Sequence, residues 1–321
     1  LSRRQRQMCI RDRYKGIKEA LPGAKVVYKK GCEIVDPHFP ESEVLPFDIT
    51  PKEQQIMDEA IEAAKSAEVV IMVLGGSEVT VREERSRTSL DLPGRQEELL
   101  KAVCKLGKPT ILVMIDGRAS SINYAKKYVP AILHAWFPGE FCGQAVAETI
   151  FGDNNPGGKL AVTFPKSVGQ IPFAFPFKPG SDSGCGTSVT GALFPFGHGL
   201  SYTTFEYNNL KISPEQQGVL GEVKVSCTVK NTGKRPGDEV VQLYLRDEIS
   251  SVTTYVKILR GFERITLQPN EEKKVTFTLS PQDLAIWDKN MKFQVEPGTF
   301  KVMIGASSKD IRLEGKFIIN K

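Results

Sequence analysis

Three short apolar runs, separated by stretches of helical periodicity, constrain the fold of this chain more than any other feature. The runs occupy residues 68–74, 110–115 and 131–136. Apolar residues at helical spacing predict helices over residues 14–21, 51–67, 95–106, 121–128 and 139–151. Short buried strands joined by single helices predict a largely parallel sheet with helices on both faces. Residues 25–28 predict one further strand.

The connection between the first run and the next helix is unusually long. Residues 75–94, here named the 75–94 loop, read GGSEVTVREERSRTSLDLPG. A connection of this length inside a compact α/β domain is usually functional or disordered. It begins at the carboxyl end of a predicted strand, where open parallel sheets bind their ligands. We therefore interpret it as a catalytic loop that presents Glu83, and the alternative is a solvated loop with surface ion pairs.

Other candidate residues have plainer explanations. Asp116 and Arg118 follow the second run and could line the same cleft, but we favour a tight turn held by an Asp–Arg pair. His134 lies in an apolar run and is typical of a core histidine. His198 lies in a Gly-rich turn and is interpreted as a loop anchor. Gly75–Ser77 lack the full Gly-x-Gly-x-x-Gly spacing, which argues against a nucleotide site.

The second half of the chain changes to a pattern of period two. Residues 223–229, 240–245, 275–279 and 300–304 alternate apolar and polar side chains, and turn signals separate them. Short alternating strands at regular spacing predict a β-sandwich. Trp287 is expected to cap its core. Residues 172–204 are rich in Gly, Pro and Phe, and predict a linker or a long surface loop.

Composition narrows the function. The net charge of +5 arises mostly from residues 1–13, which hold five Arg and one Asp, so no basic stripe indicates nucleic acid or an anionic membrane. These 13 residues fit nothing downstream, and we expect them to be a non-native tail. The six Cys form no CxxC pair, which argues against a metal site. No apolar stretch is long enough to span a bilayer.

Four motifs in a fixed order carry a more specific signal. They are EERSR with LDLPGRQ from Glu83, AWFPGE from Ala135, FGD with NPGGKL and TFP from Phe151, and FPFGHGLSY from Phe194. Together they resemble the carboxyl-terminal part of glycoside hydrolase family three, the β-glucosidases and β-xylosidases. Residues 222–304 are similar to the fibronectin type III-like module of that family.

The resemblance implies a role for Glu83. The family builds its active site between a (β/α) barrel, which supplies an Asp nucleophile, and an α/β sandwich domain, which supplies an acid/base Glu on a loop. That Glu corresponds to Glu83, because Arg87 follows four residues later as the family pattern requires, and Glu84 is the runner-up. Arg87 is expected to support the loop. Ser86 stands where many members have Asp. No metal or organic cofactor is implied.

The resemblance also implies a domain order. Residues 14–171 correspond to the α/β sandwich domain, residues 172–204 to a linker, and residues 205–321 to the fibronectin type III-like domain. The chain has room for these two domains only, so the barrel and its nucleophile are expected outside it. A retaining glycosidase needs two carboxyl groups about 5 Å apart. We therefore expect this chain alone to be inactive.

Three functional interpretations remain open at this stage. The favoured one is a retaining, exo-acting β-glucosidase, or a β-xylosidase, whose partners are a β-glycoside or oligosaccharide substrate and the barrel of the same polypeptide. The second is a non-catalytic carbohydrate-binding or scaffolding protein. The third is a nucleotide-binding α/β protein. Family habit places the full-length parent in the periplasm or outside the cell.

Overall fold

The computed structural model describes residues 14–181 and 188–321. The expected non-native tail, residues 1–13, lies outside the described residues. Contacts divide the chain into two units. The α/β unit comprises Leu1–Asn154 and Phe164–Gly169, and the β unit comprises Asn155–Thr163 and Gln170–Lys321.

The α/β unit is built on a three-stranded parallel sheet with the order β1-β2-β3. Its strands are β1 (Val70–Gly75), β2 (Thr110–Ile115) and β3 (Ala131–His134). Its helices are α1 (residues 14–20), α2 (Pro51–Lys65), α3 (Gln96–Cys104), α4 (Asn123–Tyr128) and α5 (Cys142–Phe151), and a short 3₁₀ helix spans Glu41–Glu43. The central strand β2 is the most buried, as the continuous apolar run predicts. The predicted parallel α/β fold is confirmed.

Local sequence signals determine where the longest helix of this unit begins. The Thr50 hydroxyl accepts a hydrogen bond from the Glu53 backbone at 3.3 Å, and the Glu53 carboxylate accepts one from the Thr50 backbone at 2.9 Å. Pro51 occupies the first helical position, where its missing N–H costs nothing. This reciprocal pair satisfies two donors that the helix itself cannot use. Helix α2 therefore begins at a residue that the sequence specifies.

Two strand predictions in this unit are wrong. Residues 25–28 form no strand. A strand needs a neighbouring strand to pair with, and in the described part of the chain the edge strand β1 pairs with β2 and not with these residues. Val27 and Tyr28 are exposed, and Tyr28 lies against the ring of Tyr14 at 6.1 Å. The third strand ends at His134 rather than at residue 136, because Trp136 has a φ of +52°, outside the range of extended backbone.

The β unit is a sandwich of two sheets. One sheet has the order β5-β13-β12-β7-β8 and the other has the order β4-β6-β9. Neighbouring strands are antiparallel, except that β5 runs parallel to β13. The strands are β4 (Phe205–Ser213), β5 (Gln216–Gly218), β6 (Val223–Asn231), β7 (Gly237–Asp247), β8 (Ile258–Leu267), β9 (Glu272–Leu279), β12 (Gly298–Gly305) and β13 (Ile311–Asn320). The predicted β-sandwich is confirmed.

The core of the sandwich follows the period of two. On β6, residues 223, 225, 227 and 229 are all buried and point between the sheets, toward the inward residues of β7 and β12. The rings of Phe300 and Phe317 stack across neighbouring strands with centroids 5.3 Å apart. These apolar side chains form one continuous cluster, which is the physical basis of this unit.

Trp287 does not cap that core, so this prediction is wrong. It lies in a separate two-stranded ribbon, β10 (Ile286–Trp287) with β11 (Phe293–Gln294), which follows the short helix α6 (Pro281–Leu284). Its side chain is 59% exposed and its ring pairs with that of Phe293 at 5.4 Å. The sequence pattern could not reveal this, because an aromatic residue near turns can face either side.

The Gly- and Pro-rich stretch, predicted as a linker, belongs to the β unit from residue 170 onward. The Gln170 side chain is fully buried and donates to the carbonyl oxygens of Val189 and Gly191, at 3.0 and 3.1 Å. The rings of Phe175 and Phe196 stack with centroids 4.6 Å apart. The described part of this stretch therefore packs through side chains, without helices or strands of its own.

A buried ion pair ties residues 155–163 to the sandwich within the β unit. The Lys159 ammonium lies 3.0 Å from Glu239 Oε1, and their side chains are 12% and 4% exposed. The Tyr207 hydroxyl donates to the same carboxylate oxygen at 3.1 Å. Burial and the neighbouring carboxylate raise the pKa of Tyr207, so it remains a donor. Loss of one partner would leave the other charge buried and unpaired.

We expect Lys159→Met to lower the free energy of unfolding by about 3–5 kcal/mol, because the Glu239 carboxylate would lose its counter-charge. The matched control is Lys316→Met, because Lys316 pairs with Glu248 at the surface. That exposed pair should contribute at most about 1 kcal/mol. Urea unfolding of the chain, followed by circular dichroism, measures both. Equal losses in the two variants would contradict the assignment.

Candidate active site

The 75–94 loop leaves the sheet at the carboxyl end of β1, where two backbones come very close. Gly75 has a φ of +136°, and a Cβ atom at this position would lie 2.1 Å from the carbonyl oxygen of Ile115 on β2. The Gln96 side chain, 2% exposed, donates to Gly75 O at 2.8 Å and accepts from Gly75 N at 2.7 Å. This buried amide fixes where the loop begins.

The far part of the loop is anchored by a second buried group. The Glu43 carboxylate accepts a hydrogen bond from Arg87 Nε and another from the Thr88 backbone N–H, the latter at 2.9 Å. The Thr88 hydroxyl donates to the carbonyl oxygen of Glu43 at 3.0 Å, and Arg87 donates to that of Asp91 at 3.1 Å. The Arg87 and Glu43 side chains are 7% and 8% exposed.

Sequence reasoning missed Glu43. Its partner Arg87 lies 44 residues further along the chain, and no motif joins the two. Glu43 is the last residue of a 3₁₀ helix that the sequence pattern does not predict. The one signal available was the need of Arg87 for a buried counter-charge, which does not say where the carboxylate comes from.

The centre of the loop exposes the two candidate carboxylates. Arg85 N donates to Arg82 O at 3.1 Å, which places Glu83 and Glu84 at the middle of a four-residue turn. Glu84 has a φ of +61°, a conformation that non-glycine residues rarely adopt. Both side chains are exposed, and within residues 14–181 and 188–321 neither carboxylate forms a hydrogen bond or an ion pair with another side chain.

The turn after β2 lies at the same edge of the sheet and contacts the loop. The expected tight turn with an Asp116–Arg118 contact is present, but the contact uses the Arg118 backbone and not its guanidinium. The Asp116 carboxylate, 3% exposed, accepts from the Arg118 backbone N–H at 3.2 Å and from the Ser120 hydroxyl at 2.5 Å. The Arg118 guanidinium reaches the loop and donates to the carbonyl oxygens of Thr80, at 3.1 Å, and Arg85.

The first residues of the loop do not offer a phosphate site. Gly76 N donates to Ile115 O at 3.0 Å, and Ser77 N donates to the Thr80 hydroxyl at 3.1 Å. The backbone amides that would cradle a phosphate are thus already bonded. This geometry offers no support for the nucleotide-binding interpretation.

His134 ends β3 within an aromatic cluster of the same unit. Its ring centroid lies 4.4 Å from that of Trp136 and 5.1 Å from that of Phe164, both edge to face. Neither ring nitrogen has a hydrogen-bond partner among the described residues. Burial lowers the pKa of His134, and the nearby Asp116 charge offsets this only in part. The residue is a packed, neutral histidine, while His198 belongs to the β unit and stacks on Phe194.

The described residues contain neither a metal-binding cluster nor a membrane-spanning helix. No group of three or more His, Cys, Asp or Glu side chains in residues 14–181 and 188–321 is arranged to hold a metal ion. Among the helices of the same residues, none combines the length and apolar character needed to cross a membrane.

Two protein-family models match this chain and identify its class of protein. Residues 4–202 match the family model described as the Glycosyl hydrolase family 3 C-terminal domain. Residues 239–308 match the model described as the Fibronectin type III-like domain. A parallel α/β unit followed by this β-sandwich is therefore the carboxyl-terminal arrangement of a class of glycoside hydrolases. The chain belongs to glycosyl hydrolase family 3.

Similar proteins include both β-xylosidases and β-glucosidases. A β-xylosidase of Formosa agariphila is 47% identical over 289 residues, covering 89% of this chain and 38% of the relative. A periplasmic β-glucosidase of Salmonella typhimurium is 40% identical, covering 94% and 42%. The crystal structure of a β-glucosidase from Erythrobacter marinus superimposes with a TM-score of 0.86 at 36% identity, covering 95% and 43%. The chain thus spans about two fifths of these proteins.

We expect Glu43→Gln to loosen the 75–94 loop, because the buried Arg87 guanidinium would lose its counter-charge. Trypsin should then cleave after Arg82 or Arg85 about ten-fold faster, which corresponds to about 1.4 kcal/mol of local stability. The control is Glu41→Gln, two residues earlier, whose side chain is exposed. Unchanged cleavage in Glu43→Gln, measured by mass spectrometry over time, would contradict the anchoring role.

We expect His134→Phe to reduce the acid sensitivity of the α/β unit. The folded pKa of His134 lies below its unfolded value, so the unfolded state binds the proton more tightly. The wild type therefore loses stability as pH falls below about 6.5. Phe keeps the aromatic packing and cannot be protonated, so its Tm should fall less between pH 7.5 and 5.5. Parallel Tm curves for both proteins would show that His134 contributes nothing to this loss.

Proposed function

We propose that this chain is the carboxyl-terminal part of a retaining, exo-acting β-glucosidase that hydrolyses terminal, non-reducing β-D-glucosyl residues, with Glu83 as the general acid/base. One observation carries the proposal. Glu83 is an exposed carboxylate with no side-chain partner among the described residues, on a loop at the carboxyl edge of a parallel sheet that buried side chains hold at residue 75 and at residues 87 and 88. Membership of glycosyl hydrolase family 3 and the β-glucosidases among the relatives support it.

The chemistry assigns Glu83 two proton transfers. It first protonates the glycosidic oxygen of the leaving group while a carboxylate nucleophile forms the glycosyl–enzyme intermediate. It then accepts a proton from the water that hydrolyses this intermediate. Glu84 is the second candidate for this role. Its backbone has a left-handed conformation, which non-glycine residues rarely adopt. Arg87 serves the reaction indirectly, through the buried pair with Glu43 that holds the loop.

The proposal places the nucleophile in another part of the same protein. A general acid requires a raised pKa, which burial or a second carboxylate provides. Glu83 is exposed in this chain, so its catalytic environment would come from a barrel domain that covers the loop. The relatives are more than twice as long as the matched segment, which leaves room for such a domain. The chain by itself is then inactive.

A second candidate is a β-xylosidase of the same family. The observation that favours it is the 47% identity to the β-xylosidase of Formosa agariphila, against 40% to the periplasmic β-glucosidase. The two substrates differ by one hydroxymethyl group, and the pocket that distinguishes them would be formed mainly by the barrel. The Salmonella relative is a periplasmic β-glucosidase, which supports a periplasmic location for the full-length parent.

The test is Glu83→Gln in the full-length protein encoded by the gene that contains these residues. Loss of the acid/base should lower turnover of p-nitrophenyl β-glucoside or β-xyloside about 10²- to 10⁴-fold. Added azide, which needs no general base, should restore turnover and yield the β-glycosyl azide. The ratio of wild-type rates on the two substrates decides between glucosidase and xylosidase.

Two controls accompany this test. The first is Glu84→Gln, because Glu84 lies next to Glu83 in the same turn, and this variant should retain most of the activity. The 321-residue chain without further sequence should show no turnover. Azide rescue of Glu84→Gln instead of Glu83→Gln would transfer the role to Glu84. Wild-type turnover by Glu83→Gln, or hydrolysis by the 321-residue chain, would overturn the proposal.

A further inference from the structure

We propose that Arg118 is a positioning residue that holds the Glu83 turn in its working geometry by bridging two backbone carbonyl groups on either side of it. This inference rests on the proposed role of Glu83 as the acid/base. Arg118 lies on the turn after β2, and the sequence predicts that it pairs with Asp116. Its guanidinium hydrogen-bonds instead to the loop that carries Glu83.

The contacts of Arg118 enclose the turn. Nε donates to the carbonyl oxygen of Thr80 at 3.1 Å, and a terminal nitrogen donates to that of Arg85. The four residues between these acceptors include both Glu83 and Glu84. A guanidinium presents its donors in a rigid, planar fork, so it fixes the separation of the two carbonyl groups. An ammonium group on a flexible stem cannot hold two separated acceptors in the same way.

Hydrogen bonds within the turn after β2 hold the backbone of Arg118 in place. The Arg118 backbone N–H donates to the nearly buried Asp116 carboxylate at 3.2 Å, and Ser120 holds the other oxygen of that carboxylate. Between them, Gly117 lets the loop approach. A Cβ atom at Gly117 would lie 2.5 Å from Cγ1 of Val81 and 2.8 Å from the ring of Phe137. The loop therefore packs directly on this turn, two residues before Glu83.

No other side chain outside the loop performs this task in the described part of the chain. Gln96 fixes the start of the loop at Gly75, and Glu43 fixes residues 87 and 88. Between residues 79 and 86, Arg118 is the one side chain from outside that hydrogen-bonds to the loop within residues 14–181 and 188–321. It also forms no ion pair with either candidate carboxylate there, so it positions the turn without occupying Glu83.

This placement predicts a specific kinetic signature. An acid that is displaced by even 1 Å loses much of its effect, because proton transfer depends on close alignment. In the glycosylation step, which kcat/KM reports, the loss is largest for substrates whose leaving group must be protonated, and smallest for those whose leaving group departs unaided. A variant that is merely less stable would lose the same fraction of activity on every substrate. Dependence on the leaving group therefore separates positioning from a structural role.

The experiment compares Arg118→Met and Arg118→Lys with the wild type in the full-length protein. The substrates are an alkyl β-glycoside, whose leaving group is poor, and the 2,4-dinitrophenyl β-glycoside, whose leaving group is good. We expect kcat/KM on the alkyl glycoside to fall about 30- to 100-fold in both variants, in line with the cost of small misplacements. We expect kcat/KM on the dinitrophenyl glycoside, which does not include the base-assisted hydrolysis of the intermediate, to fall less than about three-fold. The control is Arg264→Met, which breaks an exposed pair with Asp238 in the β unit.

A second measurement keeps the test independent of turnover. Hydrogen exchange should show faster exchange in peptides covering residues 79–86 of Arg118→Met, with β2 unchanged. Equal losses on both substrates, wild-type kinetics, or rescue by Arg118→Lys would each overturn the inference about Arg118. Absence of a leaving-group effect in Glu83→Gln would instead overturn the proposed function, so the two failures are distinguishable.

Discussion

The close contact between the carboxyl ends of β1 and β2 is the feature on which the candidate site depends. The two backbones approach so closely that residue 75 has no room for a side chain, and only glycine adopts its conformation without strain. The buried amide of Gln96 bonds both backbone groups of Gly75, the last residue of β1, and so satisfies a buried donor and a buried acceptor at the strand end. The 75–94 loop therefore leaves the sheet from a fixed point and in a fixed direction.

The loop combines buried anchors with exposed carboxylates. Gln96 acts at its start and Glu43 acts at residues 87 and 88, and both side chains are almost fully buried, where hydrogen bonds and ion pairs are strongest. The centre carries Glu83 and Glu84, which are exposed. Charges that must exchange protons with a ligand cannot be neutralised by the protein, so anchoring through backbone carbonyl groups, as Arg118 does, suits such a loop.

Sequence patterns predicted the fold well wherever burial was complete. The bounds of β2 are those predicted from its run of residues 110–115, because a strand buried on both faces carries an almost continuous apolar sequence. The pattern failed for residues 25–28 and for Trp287, because an apolar segment shows neither whether a backbone partner exists nor which way a ring faces. Glu43 could not be found, since its contact with Arg87 spans 44 residues without a motif.

The sequence by itself determined the two kinds of architecture, the position of the long loop and its candidate carboxylates, because these follow from periodicity and short motifs. The tertiary structure alone decided what holds that loop. Whether Arg118 pairs with Asp116 or reaches Thr80 depends on where two strand ends meet in space. Local spacing cannot encode that choice, because an arginine side chain is long enough to reach several acceptors and only the folded backbone brings one set within hydrogen-bond distance.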